Sequence, residues 1–141
     1  MDILQKRWDK YTTRGNDGII DFILRTVGVY PGIAIEFGAA DGIRGSNTRN
    51  LWENGWTILL IEADKDQFKK LSKNYYKCNN VFCYRGVVSL SGDDLFDNIV
   101  DRYLNNTEIN FCSIDIDGLD LEVFETFQKY SIRIFFISQK N

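Results

Sequence analysis

Short apolar runs alternate with amphipathic stretches along almost the whole chain. Ile33-Ala34-Ile35-Glu36-Phe37 is opened by Pro31-Gly32 and closed by Gly38, and its near-continuous apolar character predicts a strand covered on both faces. Similar runs predict strands over 56–61, 81–84, 109–114 and 132–137. Between them the apolar period lengthens to that of a helix. Residues 17–27 place Ile20, Ile23, Leu24 and Val27 on one side, and 47–54 end at Asn54-Gly55, a helix stop. Residues 65–76 carry Phe68, Leu71 and Tyr75 at helical spacing behind Asp64, a helix cap. Another helix starts over 91–94, with acids at its positive end and Leu95, Ile99, Val100 and Tyr103 on one face. A further helix is predicted over 119–129.

Strand–helix alternation repeated this often implies an α/β fold, a doubly wound parallel sheet of about five strands flanked by helices. The chain has 141 residues, 44% of them hydrophobic, enough for one real core. It shows no internal repeat, low-complexity segment or linker. The expectation is one domain over 1–141, with a helical segment over 1–30 leading into an α/β core over 31–141.

Composition narrows the chemistry. Seventeen Lys and Arg stand against 20 Asp and Glu, for a net charge of −3. That balance is a poor match for nucleic-acid phosphates or an anionic membrane, so neither is expected as a partner. The chain has no histidine, which excludes Ser-His-Asp and Cys-His catalysis and every His-ligated metal site. Cys78, Cys83 and Cys112 form no CxxC pair and read as reduced thiols. The N-terminus lacks the apolar core of a signal peptide, and no apolar run reaches the roughly 20 residues of a membrane helix. A cytoplasmic protein is expected.

Doubly wound sheets bind ligands beyond the carboxyl ends of their strands, where strand order reverses. After the first strand comes Glu36-Phe37-Gly38-Ala39-Ala40-Asp41-Gly42. This acid-x-Gly-x-x-x-Gly pattern is not the GxGxxG of dinucleotide enzymes. Its glycines permit a sharp turn and close approach of a ligand, and its acid would repel a pyrophosphate but suits an ammonium group. A glycine turn without a ligand is the other reading. After the second strand, Glu62 can accept both hydroxyls of a ribose, or it is a surface carboxylate; Asp64 fits the role of helix cap better. After the fourth strand, Asp115, Asp117 and Asp120 crowd six residues, and a cation, helix N–H groups or solvent must offset their repulsion. Asp120 can cap the following helix. The spacing is not that of an EF-hand loop, and no metal is assigned. Ser46 or Asn47 either caps the next helix or forms a polar wall of the ligand pocket.

Taken together, these segments resemble one family. Gly15-Asn16-Asp17-Gly18-Ile19-Ile20, Ile35-Glu36-Phe37-Gly38-Ala39-Ala40-Asp41-Gly42, Ser46-Asn47-Thr48, Gly55-Trp56, Leu60-Ile61-Glu62-Ala63-Asp64 and Ser113-Ile114-Asp115-Ile116-Asp117-Gly118-Leu119-Asp120 resemble FkbM-like methyltransferases, of the class I, S-adenosylmethionine-dependent type. The resemblance covers about residues 14–137. It implies a Rossmann-like sheet of order 3-2-1-4-5, S-adenosylmethionine as cofactor, and O-methyl transfer to a hydroxyl of a small molecule or sugar. By the same resemblance, Glu36 holds the methionine ammonium, directly or through water; Gly38, Ala39 and Gly42 line the cofactor, with Asn47 in the pocket wall. Glu62 binds the ribose and Asp115 faces the sulfonium and the acceptor. Methyl transfer needs alignment and a base for the hydroxyl proton, and Asp115 or Asp117 is the candidate base.

The chain also departs from the family pattern. No acid follows the third strand directly, in Tyr84-Arg85-Gly86-Val87-Val88-Ser89, so adenine recognition is unassigned. The fifth strand leads into Ser138-Gln139-Lys140-Asn141, where members of the class usually carry an acid and an asparagine and then two more strands. On this reading the fifth strand presents an unpaired apolar edge, which predicts a homo-oligomer, another partner chain or aggregation. A catalytically inactive methyltransferase-like binding or oligomerisation module is the alternative function. A nicotinamide enzyme is disfavoured by the missing GxGxxG.

Overall fold

The computed structural model describes residues 2–105, 108–115 and 120–137, with the side chains of Asp120 and Leu121 outside that description. A 3-10 turn, Ile3–Lys6, leads into α1 (Asn16–Thr26). Strands β1 (Ile33–Phe37), β2 (Thr57–Glu62), β3 (Val81–Arg85), β4 (Glu108–Ile114) and β5 (Ser131–Ile137) alternate with α2 (Arg49–Glu53), α3 (Lys65–Asn74), α4 (Phe96–Tyr103) and α5 (Asp120–Glu125). All four strand pairs are parallel, in the order β3-β2-β1-β4-β5. The expected fold class and strand order are therefore those of the structure.

Side-chain alternation splits the core into two layers. Ile35, Phe37, Leu59, Ile61, Cys112 and Ile114 face one way, against Phe96, Ile99 and Val100 of α4 and Val123 of α5. Ala34, Ile58, Leu60 and Phe111 face the other way, against Ile20 and Leu24 of α1, Leu51 of α2 and Leu71 of α3. A parallel sheet needs both covers, since each fully buried Leu, Ile or Phe contributes about 1.5–3 kcal/mol only when water is excluded from it. The sheet reverses direction of winding between β1 and β4, and the crevice at their carboxyl ends is where a ligand is expected.

Three helices differ from the sequence expectation. The helix expected over 47–54 is only Arg49–Glu53, because Ser46, Asn47 and Thr48 are engaged elsewhere; its stop is as expected, with Asn54 at the C-cap and Gly55 at φ +91°. Residues 92–94 form a 3-10 turn before α4 begins at Phe96, after the extended Leu95. The helix expected to reach Lys129 ends at Glu125. There the Asp97 carboxylate accepts from Gln128 N (3.1 Å) and Lys129 N (2.8 Å), drawing those amides away from a helical ladder. Asp64 caps α3 as expected, accepting from Asp66 N and Gln67 N.

Candidate ligand site at the carboxyl edge of the sheet

The turn after β1 is built by two backbone bonds to β2: Gly38 N and Ala39 N both donate to Ile61 O. Gly38 has φ +69°, and a Cβ there would collide with the carbonyl oxygen of Asp115. Only glycine lets the end of β1 lie this close to the end of β4. Gly38 and Asp115 are both exposed, side by side at the switch point. Ala40 follows at φ +50°, which folds the chain back over β2.

Glu62 ends β2 and braces this turn. Its Oε2 accepts from Ala40 N at 2.7 Å and its Oε1 from Asp64 N at 2.8 Å. Each oxygen keeps a second lone pair for another donor. The residue is 9% exposed, at the rim of the edge.

Glu36 sits deeper. It is 4% exposed, and its Oε2 accepts from Thr48 Oγ1 (2.6 Å) and Ser46 Oγ (2.8 Å) while its Oε1 accepts from Asn47 N (2.9 Å). Burial pushes its carboxyl above the ordinary range, against the opposing pull of these three donors. The structure thus turns Glu36 towards the 46–48 loop. Asn47 carries the network across the switch point: its Nδ2 donates to Ser113 Oγ at 2.9 Å, joining the loop to β4. Ser46 Oγ also accepts from Arg49 N at 3.0 Å, but the N-cap position of α2 is Thr48, which makes no side-chain cap hydrogen bond, so neither Ser46 nor Asn47 is the cap residue. Among the described residues neither Glu36 nor Glu62 has a Lys or Arg partner.

The other expected lining residues divide. Ala39 is 3% exposed and packs into the α1–α3 layer, so it offers a ligand its backbone alone. Gly42 has φ +75°, and a Cβ there would collide with Leu71 and Tyr75 of the α3 region. The Tyr75 hydroxyl donates to Gly42 O, and burial pushes its pKa to about 12. Gly42 therefore serves the packing of α3 against the turn. Asp117 lies outside the described residues. No group of His, Cys, Asp and Glu among the described residues could hold a metal ion.

Sequence reading missed the hydroxyl clamp on Glu36. A signal was present: Glu36 shares the face of Ala34 in a strand buried on both sides, so it needed donors, and Ser46, Asn47 and Thr48 follow closely. The segment after β3 gave another surprise. Asp94 is brought back beside β3, where it accepts from the Tyr84 hydroxyl and its backbone oxygen accepts from Ser89 N.

No family model and no curated protein matches this sequence. Solved structures do match its fold. A Staphylococcus aureus protein assigned as a caffeoyl-CoA O-methyltransferase aligns with a TM-score of 0.56 and 17% identity, over 79% of this chain and 49% of its own. A Galdieria sulphuraria protein assigned as a sarcosine dimethylglycine methyltransferase gives 0.54 and 18%, over 78% and 40%. The METTL16 methyltransferase domain gives 0.50 and 20%, over 77% and 42%. At these identities the likeness is one of fold, the Rossmann-like sheet of methyltransferases. The chain spans less than half the length of each.

Proposed function

We propose that this chain is the cofactor-binding core of an S-adenosylmethionine-dependent methyltransferase of the FkbM-like kind, acting on a hydroxyl of a small molecule or sugar. The observation that carries the reading is the carboxyl edge itself: an exposed glycine turn beside Asp115, braced by a carboxylate at the end of β2. The donor set fits the cofactor. Glu36 and Glu62 have no cationic partner among the described residues, so a ligand with an ammonium and a sulfonium meets a field of the right sign. Glu62 has lone pairs left for ribose hydroxyls.

When bound, S-adenosylmethionine supplies an already activated methyl group. The protein then has to align an acceptor oxygen and receive its proton. Asp115, exposed beside Gly38, takes the proton in this proposal, with Asp117 as the second candidate. Glu36 acts at a distance, by holding the 46–48 loop so that Asn47 stays in the wall. The cytoplasm is the proposed compartment, in keeping with three free thiols. No helix among the described residues is long and apolar enough to cross a membrane. The outer edge of β5 pairs with no strand among the described residues and is the proposed docking side for a second copy. Light scattering that shows a monomer at high concentration would count against that dimer.

Calorimetry with S-adenosylhomocysteine tests the cofactor. Saturable binding is expected, and no heat at millimolar ligand would overturn the reading for this chain. Glu62→Ala should weaken binding by about tenfold, the loss of one charge-assisted contact pair. Unchanged binding would remove the ribose role.

A further inference from the structure

A second concavity lies away from the strand ends, between the N-terminal segment and α1. Gly18 creates it. A Cβ at Gly18 would collide with the Lys6 carbonyl oxygen and the Trp8 indole, and Gly18 N donates to Trp8 O at 3.0 Å. Residues 6–8 therefore lie tight on the first turn of α1, and the space beside them is a cleft of about 480 Å3. That volume lies within the range of small-molecule sites.

The lining is chemically uneven. Lys6, Arg7 and Arg25 contribute three cations against the single acid Asp21, a local inversion in a chain whose net charge is −3. Asp21 is already held by Arg25 Nε at 3.0 Å, and the Arg25 guanidinium rests 3.8 Å from the Tyr30 ring centroid. Lys6 Nζ is placed 5.3 Å from the Phe22 ring centroid. Among the described residues neither Lys6 nor Arg7 forms an ion pair. Two of the three cations are thus fixed by neighbours before any ligand arrives, and two lack a carboxylate. Trp8 remains 43% exposed, with its ring at the cleft.

A surplus of two positive charges around a concavity attracts an anion, and a phosphomonoester at neutral pH carries a charge of about −1.5 to −2. The Trp8 and Phe22 walls add apolar surface for a flat organic body. The geometry points to a binding site for a small phosphomonoester with an aromatic or similarly flat group, distinct from the site at the carboxyl edge. Its phosphate lies between Lys6, Arg7 and Arg25, and its ring lies along Trp8. This assignment is independent of the methyltransferase reading.

Phenyl phosphate is a suitable probe, and the fluorescence of the full chain a suitable signal, because Trp8 is exposed at the cleft, while Trp56 is fully buried and Trp52 is half-buried against Tyr75 and donates to Asn80, outside the cleft lining. A saturable change is expected, weakened by added salt. Inorganic phosphate and phenol, titrated separately, should each bind at least about tenfold more weakly than phenyl phosphate. Lys6→Ser and Arg7→Ser, checked by thermal melting for an intact fold, should each cost about tenfold in affinity. Glu62→Ala should leave this affinity unchanged. The proposal is overturned by the absence of saturation up to about 10 mM probe. It is also overturned by equal binding of inorganic phosphate, by full affinity in both cation variants, or by loss of binding in Glu62→Ala.

Discussion

Glu36 and Glu62 stand on the same face of adjacent strands, one pleat apart: Glu36 pairs in register with Leu60, and Glu62 follows two residues later. That one pleat separates two kinds of carboxylate. Glu36 is enclosed by α2 and its preceding loop, and takes a backbone amide and two hydroxyls as donors. Glu62 projects past the last β1–β2 pair and takes backbone amides alone, from the turns that start after β1 and β2. A buried acid must be satisfied within the protein, whereas one at the rim can share its lone pairs with a visitor. The first holds the 46–48 loop, and the second, in the function proposed above, is the one that reads the ligand.

Removing each acid breaks this contrast in a different way. Glu36→Ala leaves the Ser46 and Thr48 hydroxyls and the Asn47 amide without their acceptor in a buried space. A loss of about 3 kcal/mol in unfolding free energy is expected from denaturant titration. A loss within error of zero would mean that the loop is held by other contacts.

Gly38→Ala comes next in size. The substitution puts a side chain at φ +69° and against the Asp115 carbonyl, so the β1 and β4 ends must separate. About 2 kcal/mol of stability should be lost, and the cofactor affinity should fall as well. Gly55, at φ +91° with nothing near a built Cβ, is the control: Gly55→Ala should show the backbone cost without the affinity change.

Glu62→Ala should cost less stability, about 1 kcal/mol, because the freed Ala40 and Asp64 amides lie close enough to the surface to find water. Its larger effect is expected on S-adenosylhomocysteine binding. Equal losses of stability and binding by both Glu36→Ala and Glu62→Ala would erase the proposed division of labour.

Much of this arrangement was legible in the sequence, for a physical reason. Strands buried on both faces announce themselves as apolar runs, and Asp64 and Asn54-Gly55 mark helix ends by local chemistry. The interior use of Glu36 was not legible in the same way. Acid-x-Gly at a strand end suits a ligand contact and a structural clamp equally well, and only the fold shows where Ser46 and Thr48 sit. Gly42 carries a related ambiguity: a glycine required by Tyr75 and Leu71 looks the same in sequence as one required by a ligand. The short α5 likewise depended on Asp97, some 30 residues away in the chain. Local pattern carried the elements, and long-range hydrogen bonds decided their ends and the tasks of their acids.

The smallest predicted effect isolates the charge on Glu36. Glu36→Gln keeps the size and keeps an acceptor for Asn47 N, and its amide group can donate to the Thr48 hydroxyl, whereas Ser46 Oγ already accepts from Thr48 N and Arg49 N and loses the acceptor for its own proton. At neutral pH the variant should therefore lie within about 1 kcal/mol of the parent, or above it, since no ionised carboxylate is buried. The pH dependence follows from the raised pKa. Folding favours the protonated form, so the parent's Glu36 contribution is fully present below 4.5, the ordinary value, and is lost as pH rises through the higher folded value. Glutamine has no such dependence. The parent should therefore gain stability relative to Glu36→Gln as the pH is lowered from neutral towards 4.5. A parent that loses ground to Glu36→Gln on acidification would mean that the three donors outweigh burial and hold Glu36 ionised.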